Sequence, residues 1–205
     1  MAYEGSLSRR RVIASAACAG LVLPARGALG QGLAKDLAKD LTPTPSCHDG
    51  DPPTLRETEG PYFKTNSPLR ADLREPGIAG RPVELSGVVL TRSCQPVANA
   101  LVDLWHADDA GEYDNQGFRL RGHVFTDAQG RYAFRTIMPG LYPGRTRHYH
   151  VKIQAANRPV LTTQLYFPDE PRNRRDYFFH DELVMKVAAA DDALRTRFDV
   201  VLAIT

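Results

Sequence analysis

An all-β sandwich, antiparallel or mixed and with few short helices, is what this sequence predicts, on three observations. Fifteen prolines and sixteen glycines are scattered among short apolar runs. No long stretch keeps a 3.6-residue apolar period, and strand-like segments recur at short intervals between turn residues. With 205 residues, 42% of them hydrophobic, the chain can fill one well-packed core but not two. A single domain behind a removable leader is therefore expected.

The leader is residues 1–30. Arg9, Arg10 and Arg11 precede an apolar, small-residue stretch from Val12 to Leu23, and Ala28-Leu29-Gly30 offers a small-residue cleavage site. The stretch is too short to span a membrane, so no stable membrane anchor is expected. Ser8-Arg9-Arg10-Arg11-Val12-Ile13 resembles a bacterial twin-arginine export signal without its following Lys, the alternatives being an ordinary secretory peptide or a basic tail. An exported protein, periplasmic or secreted, is the expectation. A lipoprotein acylated at Cys18 fits less well, because Ser15 stands where a large apolar residue is wanted.

Of the 26 basic and 24 acidic residues, the leader holds four Arg and one Glu, leaving 22 against 23. That balance argues for neither nucleic acid nor an anionic membrane as partner. Cys18 leaves with the leader, so Cys47 and Cys94 are the only possible pair in an oxidising compartment. A disulfide there would tie the N-terminal arm to the domain.

Residues 31–57 read as a linker or surface arm. A short helix-compatible piece, Leu33 to Leu41, is followed by Thr-Pro-Thr-Pro and Asp-Gly-Asp-Pro-Pro. The domain then runs from 58 to 205. Its strands are expected at Val83–Leu90, at Ala100–Trp105 after a Cys-Gln-Pro turn, and at Arg131–Ile137 after Asp127-Ala128-Gln129-Gly130. Further strands follow at His148–Ile153, Val160–Phe167 and Phe198–Leu202, with a helical turn or two at Asp191–Arg197.

The sharpest chemical feature is His148-Tyr149-His150. In a strand, residues i and i+2 share a face, so both imidazoles aim at one point while Tyr149, Val151 and Ile153 take the apolar side. The pair suits two ligands of one metal, though two satisfied histidines would look the same. No His-Glu-x-x-His or nearby cysteine pair completes a zinc-hydrolase spacing. Tyrosine can supply the remaining donors: Tyr142 lies in the stiff turn Met138-Pro139-Gly140-Leu141-Tyr142-Pro143, and Tyr113 in the loop Ala110-Gly111-Glu112-Tyr113-Asp114.

From about Thr58 onward the chain resembles the intradiol ring-cleavage dioxygenases, the family of catechol 1,2- and protocatechuate 3,4-dioxygenases. The resemblance rests on Thr58-Glu59-Gly60-Pro61-Tyr62, on Leu101 to Ala107 running to Gly111-Glu112-Tyr113, and on Phe118-Arg119 through Arg121-Gly122 to Thr126-Asp127. It continues in Tyr132-Ala133-Phe134-Arg135-Thr136, Pro139-Gly140-Leu141-Tyr142 and Thr163-Gln164-Leu165-Tyr166-Phe167. It implies one ferric ion, Fe(3+), held by Tyr113, Tyr142, His148 and His150.

The resemblance also implies that Tyr142 leaves the iron as a catechol-type substrate binds, and that Arg145 and Gln164 serve the reaction with O2. Tyr62 and Trp105 would line the substrate side. On the residues alone, Arg145 could equally make a surface ion pair, Gln164 could be exposed and Trp105 could be core. His48, His106, His123 and His180 are expected to be non-ligands. Only five residues separate Tyr142 from His148 and no helical domain precedes the sandwich, which resembles the compact exported branch of the family. Homo-oligomerisation is left open. The alternatives are a non-catalytic sandwich of transthyretin-like or carbohydrate-binding type, and a ferrous or zinc site, which would favour a carboxylate beside the histidines.

Overall fold

The structure, a computed structural model, describes residues 47–205 other than 49 and 191. The expected leader, Cys18 and the helix-compatible piece Leu33–Leu41 lie outside the described residues. Among the described residues nine strands form two sheets: β1 Pro82–Leu90, β2 Leu101–Trp105, β3 Arg121–Phe125, β4 Arg131–Ile137, β5 His148–Gln154, β6 Leu161–Tyr166, β7 Lys186–Ala189, β8 Leu194–Arg197 and β9 Val200–Val201. One sheet runs β4-β1-β8-β7 with β9 also on β1, and the other runs β3-β2-β5-β6. Among the described residues helix is confined to two 3-10 turns, Asn173–Arg175 and Asp181–Leu183.

Alternation builds the core. Val83, Leu85 and Val89 of β1 and Phe134 of β4 meet Val102 and Leu104 of β2 and Tyr149, Val151 and Ile153 of β5, all at most 2% exposed. The buried phenols are satisfied: Tyr149 donates to Ile137 O at 2.9 Å and Tyr132 to Phe198 O at 2.7 Å.

The expected helical turns at Asp191–Arg197 are corrected by β8, a strand parallel to β1 over Val83↔Leu194 to Ser86↔Arg197. Leu194 and Thr196 are buried, and β1 has an open edge to fill, so burial and pairing override the charges of Arg195 and Arg197. The strand expected at Phe198–Leu202 shrinks to β9. Strands β3 and β7 were not expected. Gly122 breaks the apolar pattern of β3, yet a side chain there would sit 2.6 Å from Leu73 Cδ2, under a crossing segment.

That segment is the continuation of the arm. Cys47 is bonded to Cys94 with Cα atoms 5.7 Å apart, and Gly50 N donates to Arg92 O. Thr54 exchanges bonds with Val201, and Glu57 N donates to Thr162 O. The chain then crosses the four-stranded sheet, bridges to β3 at Leu69↔His123, and reaches β4 at Asp72↔Arg135. The arm is thus a strap rather than a free linker over its described part.

Closing a loop between cysteines 47 positions apart removes much unfolded-chain entropy. Cys94→Ser is expected to lower unfolding stability by about 2–4 kcal/mol in denaturant melts of the oxidised protein.

Candidate metal centre

The site grows from one cross-strand row on the face of the four-stranded sheet turned away from the core. Register places Arg121 of β3 beside Trp105 of β2, Trp105 beside His150 of β5, and His150 beside Gln164 of β6. All four are at most 3% exposed although they lie on an outer face. The strap makes this possible: Phe63 packs on Trp105, Lys152 reaches Glu59 at 2.5 Å and lies over the Phe63 ring, and Ser67 Oγ donates to Asp103 at 2.8 Å.

His148 and His150 bring their Nε2 atoms to 3.1 Å. His148 Nδ1 lies 2.7 Å from Thr146 O, a carbonyl that can only accept, so Nδ1 carries the proton and Nε2 offers its lone pair. Burial drops His148 to about 4 and holds His150 well below the usual imidazole range, so both are neutral at pH 7. The Tyr113 hydroxyl is 3.4 Å from His148 Nε2. The Tyr142 hydroxyl is 2.9 Å from that of Tyr62, whose ring stacks on Tyr113 at 4.4 Å. The Tyr113 and Tyr142 rings lie edge to face with centroids 6.0 Å apart.

Two loops deliver these phenols, and glycine lets them touch. Asp108 Oδ1 accepts from Ala110 N and Glu112 N to shape the Tyr113 loop, and Gly140 N donates to Asp108 O. At Gly111, where φ is +88°, a side chain would lie 2.6 Å from Leu141 O, next to Tyr142.

Arg145 is fixed on two sides. Its Nε donates to Asp176, at 2.8 Å to the nearer oxygen, and its Nη2 donates to Gln164 Oε1 at 2.6 Å. Phe178 faces its guanidinium at 4.8 Å. Gln164 is fully buried and donates through Nε2 to Thr58 O on the strap. Trp105 is 1% exposed and stacks parallel to His150 with centroids 5.0 Å apart, so its ring buttresses the imidazole.

The remaining histidines are engaged elsewhere: His106 with Ala107 O and Thr136 Oγ1, His123 with Ser67, His180 with Glu57 and His48 with Asp51. Sequence reasoning missed Asp176, whose carboxylate also accepts from Thr146 N and Phe178 N. It sits in an Arg-rich run that reads as surface. Arg121 and the facing glycines Gly111 and Gly140 were missed as well; only their place beside the tyrosines marked them.

Among the described residues no group of three or more histidine, cysteine or carboxylate side chains could hold a metal. A centre on His148 and His150 must therefore draw on phenols. The donor set fits such an ion: two imidazole Nε2 atoms converge, and His150 Nδ1 and Trp105 Nε1 are buried without partners in this polar pocket. Burial pushes the Tyr113 phenol up, against Arg145 and Arg121, so only a strongly charged metal would take its proton at neutral pH. An open depression of about 670 Å³, lined by residues including Arg70, Tyr113, Asn115 and Phe118, flanks Tyr113.

A protein-family model described as Dioxygenase matches residues 58–204. The protocatechuate 3,4-dioxygenase beta chain of Burkholderia cepacia is 32% identical over 173 residues, 71% of each chain. Catechol 1,2-dioxygenase 2 of Acinetobacter lwoffii is 30% identical over 166 residues, 67% of this chain; the match spans 60% of that relative. Among solved structures, the dioxygenase domain of a dioxygenase and carbohydrate-binding protein fusion from Streptomyces sp. SirexAA-E is 52% identical, with a TM-score of 0.74. It is covered in full by 75% of this chain. The 3-chlorocatechol 1,2-dioxygenase of Rhodococcus opacus 1CP is 26% identical, with a TM-score of 0.69 over 75% of this chain and 73% of that one.

His106, His148 and His150 are all held neutral by burial, with His106 and His148 lowered from 6.5 to about 4. The unfolded chain takes up protons near 6.5 while the folded one does not, so stability is complete above that pH and falls as pH drops towards 4. Melting temperatures of the metal-free protein should decline across that window, and a profile flat between pH 7 and 4.5 would contradict the buried-imidazole assignment.

Proposed function

The chain belongs to the intradiol ring-cleavage dioxygenase family, and on that premise we propose that it cleaves a catechol-type ring between its hydroxyl-bearing carbons with O2. The product would be a cis,cis-muconate-type diacid. The observation that carries this reading is the convergence of His148 and His150 Nε2 with the phenols of Tyr113 and Tyr142. A non-catalytic sandwich has no use for two neutral imidazoles aimed at each other beneath three phenols.

Tyr113, Tyr142, His148 and His150 would hold Fe(3+), because two hard anionic oxygens favour ferric over ferrous iron. Bound there, the ion would supply the Lewis acidity that takes up the catechol as its dianion and turns the ring towards O2. Tyr142 would be the base for a substrate proton, and Tyr62, whose hydroxyl is 2.9 Å away, is positioned to hold the Tyr142 hydroxyl. Asp176 and Gln164 occupy Nε and Nη2 of Arg145, leaving Nη1 to stabilise the negative charge that builds on the ring. The Thr146 carbonyl keeps His148 in the tautomer that donates through Nε2.

Export, by the twin-arginine route, is proposed on the Arg9-Arg10-Arg11 leader; the Cys47–Cys94 bond supports an oxidising location.

The purified protein should be burgundy, with about one iron per chain, and its visible band should move to longer wavelength when catechol is added without oxygen. A protein that stays colourless after ferric reconstitution would end this reading. Arg145→Gln should lower kcat by about a hundredfold to a thousandfold while the iron and its colour are kept, as steady-state kinetics on catechol would register.

A further inference from the structure

Arg121 is a buried charge without a carboxylate. It is 2% exposed, and its three hydrogen bonds all go to main-chain carbonyls: Nη1 to Tyr62 O at 2.6 Å, Nε and Nη2 to Asp114 O at 3.2 and 3.0 Å. Other buried or partly buried arginines are treated differently. Arg145 meets Asp176, Arg131 meets Asp127 and Arg197 meets Asp199. Among the described residues no ion pair forms at Arg121. The Asp114 carboxylate is turned to the backbone N–H groups of Gln116, Gly117 and Arg119 instead.

An unpaired guanidinium in a dry place is unfavourable unless something nearby becomes negative. The two carbonyls it holds identify the place. Tyr62 stacks on Tyr113, and Asp114 follows Tyr113 directly. Arg121 also opens the row that runs through Trp105 to His150. With Arg145 already matched by Asp176, Arg121 is the buried guanidinium beside the site that, among the described residues, touches no carboxylate and feels Asp114 and Asp103 only at a distance.

We propose that Arg121 is a positioning residue for the donor set, clamping the Tyr62 and Tyr113 segments through the Tyr62 and Asp114 carbonyls and placing a fixed positive charge beside them. The inference rests on the ferric reading of the site. It separates two duties that substitution can divide. Lysine keeps the charge but cannot span both carbonyls with a planar fork, whereas methionine removes the charge at similar length.

The test uses the full protein, wild type, Arg121→Lys and Arg121→Met, with iron retention followed in competition with an iron(III) chelator, the position of the visible band, and KM against kcat for catechol. Circular dichroism and melting report the fold. Folded Arg121→Met should release iron at about tenfold lower chelator concentration and show a shifted band. Arg121→Lys should hold iron within about threefold of wild type while KM rises, because Tyr62 is no longer clamped. Wild-type retention and band position in folded Arg121→Met would overturn the proposal. Should Arg121→Met fail to fold, Arg121→Lys decides: raised KM with iron retained supports the clamp, and wild-type behaviour in every readout overturns it. A colourless wild type would instead remove the ferric reading itself, so the two failures are distinct.

Discussion

The outer face of the four-stranded sheet is dry only because a strap of irregular chain lies across it. His150, Gln164, Trp105 and Arg121 would otherwise meet water, and none of the site's electrostatics would hold. The strap is fastened by the Cys47–Cys94 bond, by main-chain bonds to Val201 and Thr162, and by Lys152 to Glu59. Covering polar groups this way demands partners for nearly all of them, and the strap supplies several: the Thr58 carbonyl for Gln164, the Tyr62 carbonyl for Arg121 and the Ser67 hydroxyl for Asp103. Fold and site are therefore not separable layers here, because the segment that seals the sheet also presents Tyr62.

Charge is managed by contrast. Asp176 neutralises Arg145 and also accepts from the Thr146 N–H, whose own carbonyl orients His148, so one carboxylate sets both an arginine and an imidazole. On the other side of the His148 and His150 pair, Arg121 has carbonyls only. The neutral imidazoles, the raised phenol and, among the described residues, a buried guanidinium that touches no carboxylate make a pocket suited to anionic groups.

What could be read from sequence follows the range of the interaction concerned. The aim of His148 and His150 at a common point needs only a two-residue period, and β4 is announced by the Asp127 to Gly130 turn before it. The parity that puts Gln164 opposite Leu165 is equally local, but its bond to Arg145 joins positions 19 apart and could not be seen. Strand β8 was missed because its four residues hold a single apolar side chain, Leu194, while the reason it is a strand is a parallel partner more than a hundred positions earlier. Gly111 and Gly140 look like ordinary turn glycines. Only the approach of two loops in space shows why side chains are not tolerated there.

The exchange of bonds between Thr54 and Val201 joins positions 147 apart. Contacts of that span close late, since the entropy of joining distant segments must be met before they stabilise anything. β9, which carries Val201, can offer its edge to the strap only after it has joined β1. Tyr62 lies on the strap downstream of that bond, so its place in the pocket depends on a long-range closure. The full ring of phenols and imidazoles is consequently a property of the finished chain, since His148 and His150 stand on the His148–Gln154 strand while Tyr62 is presented by the strap.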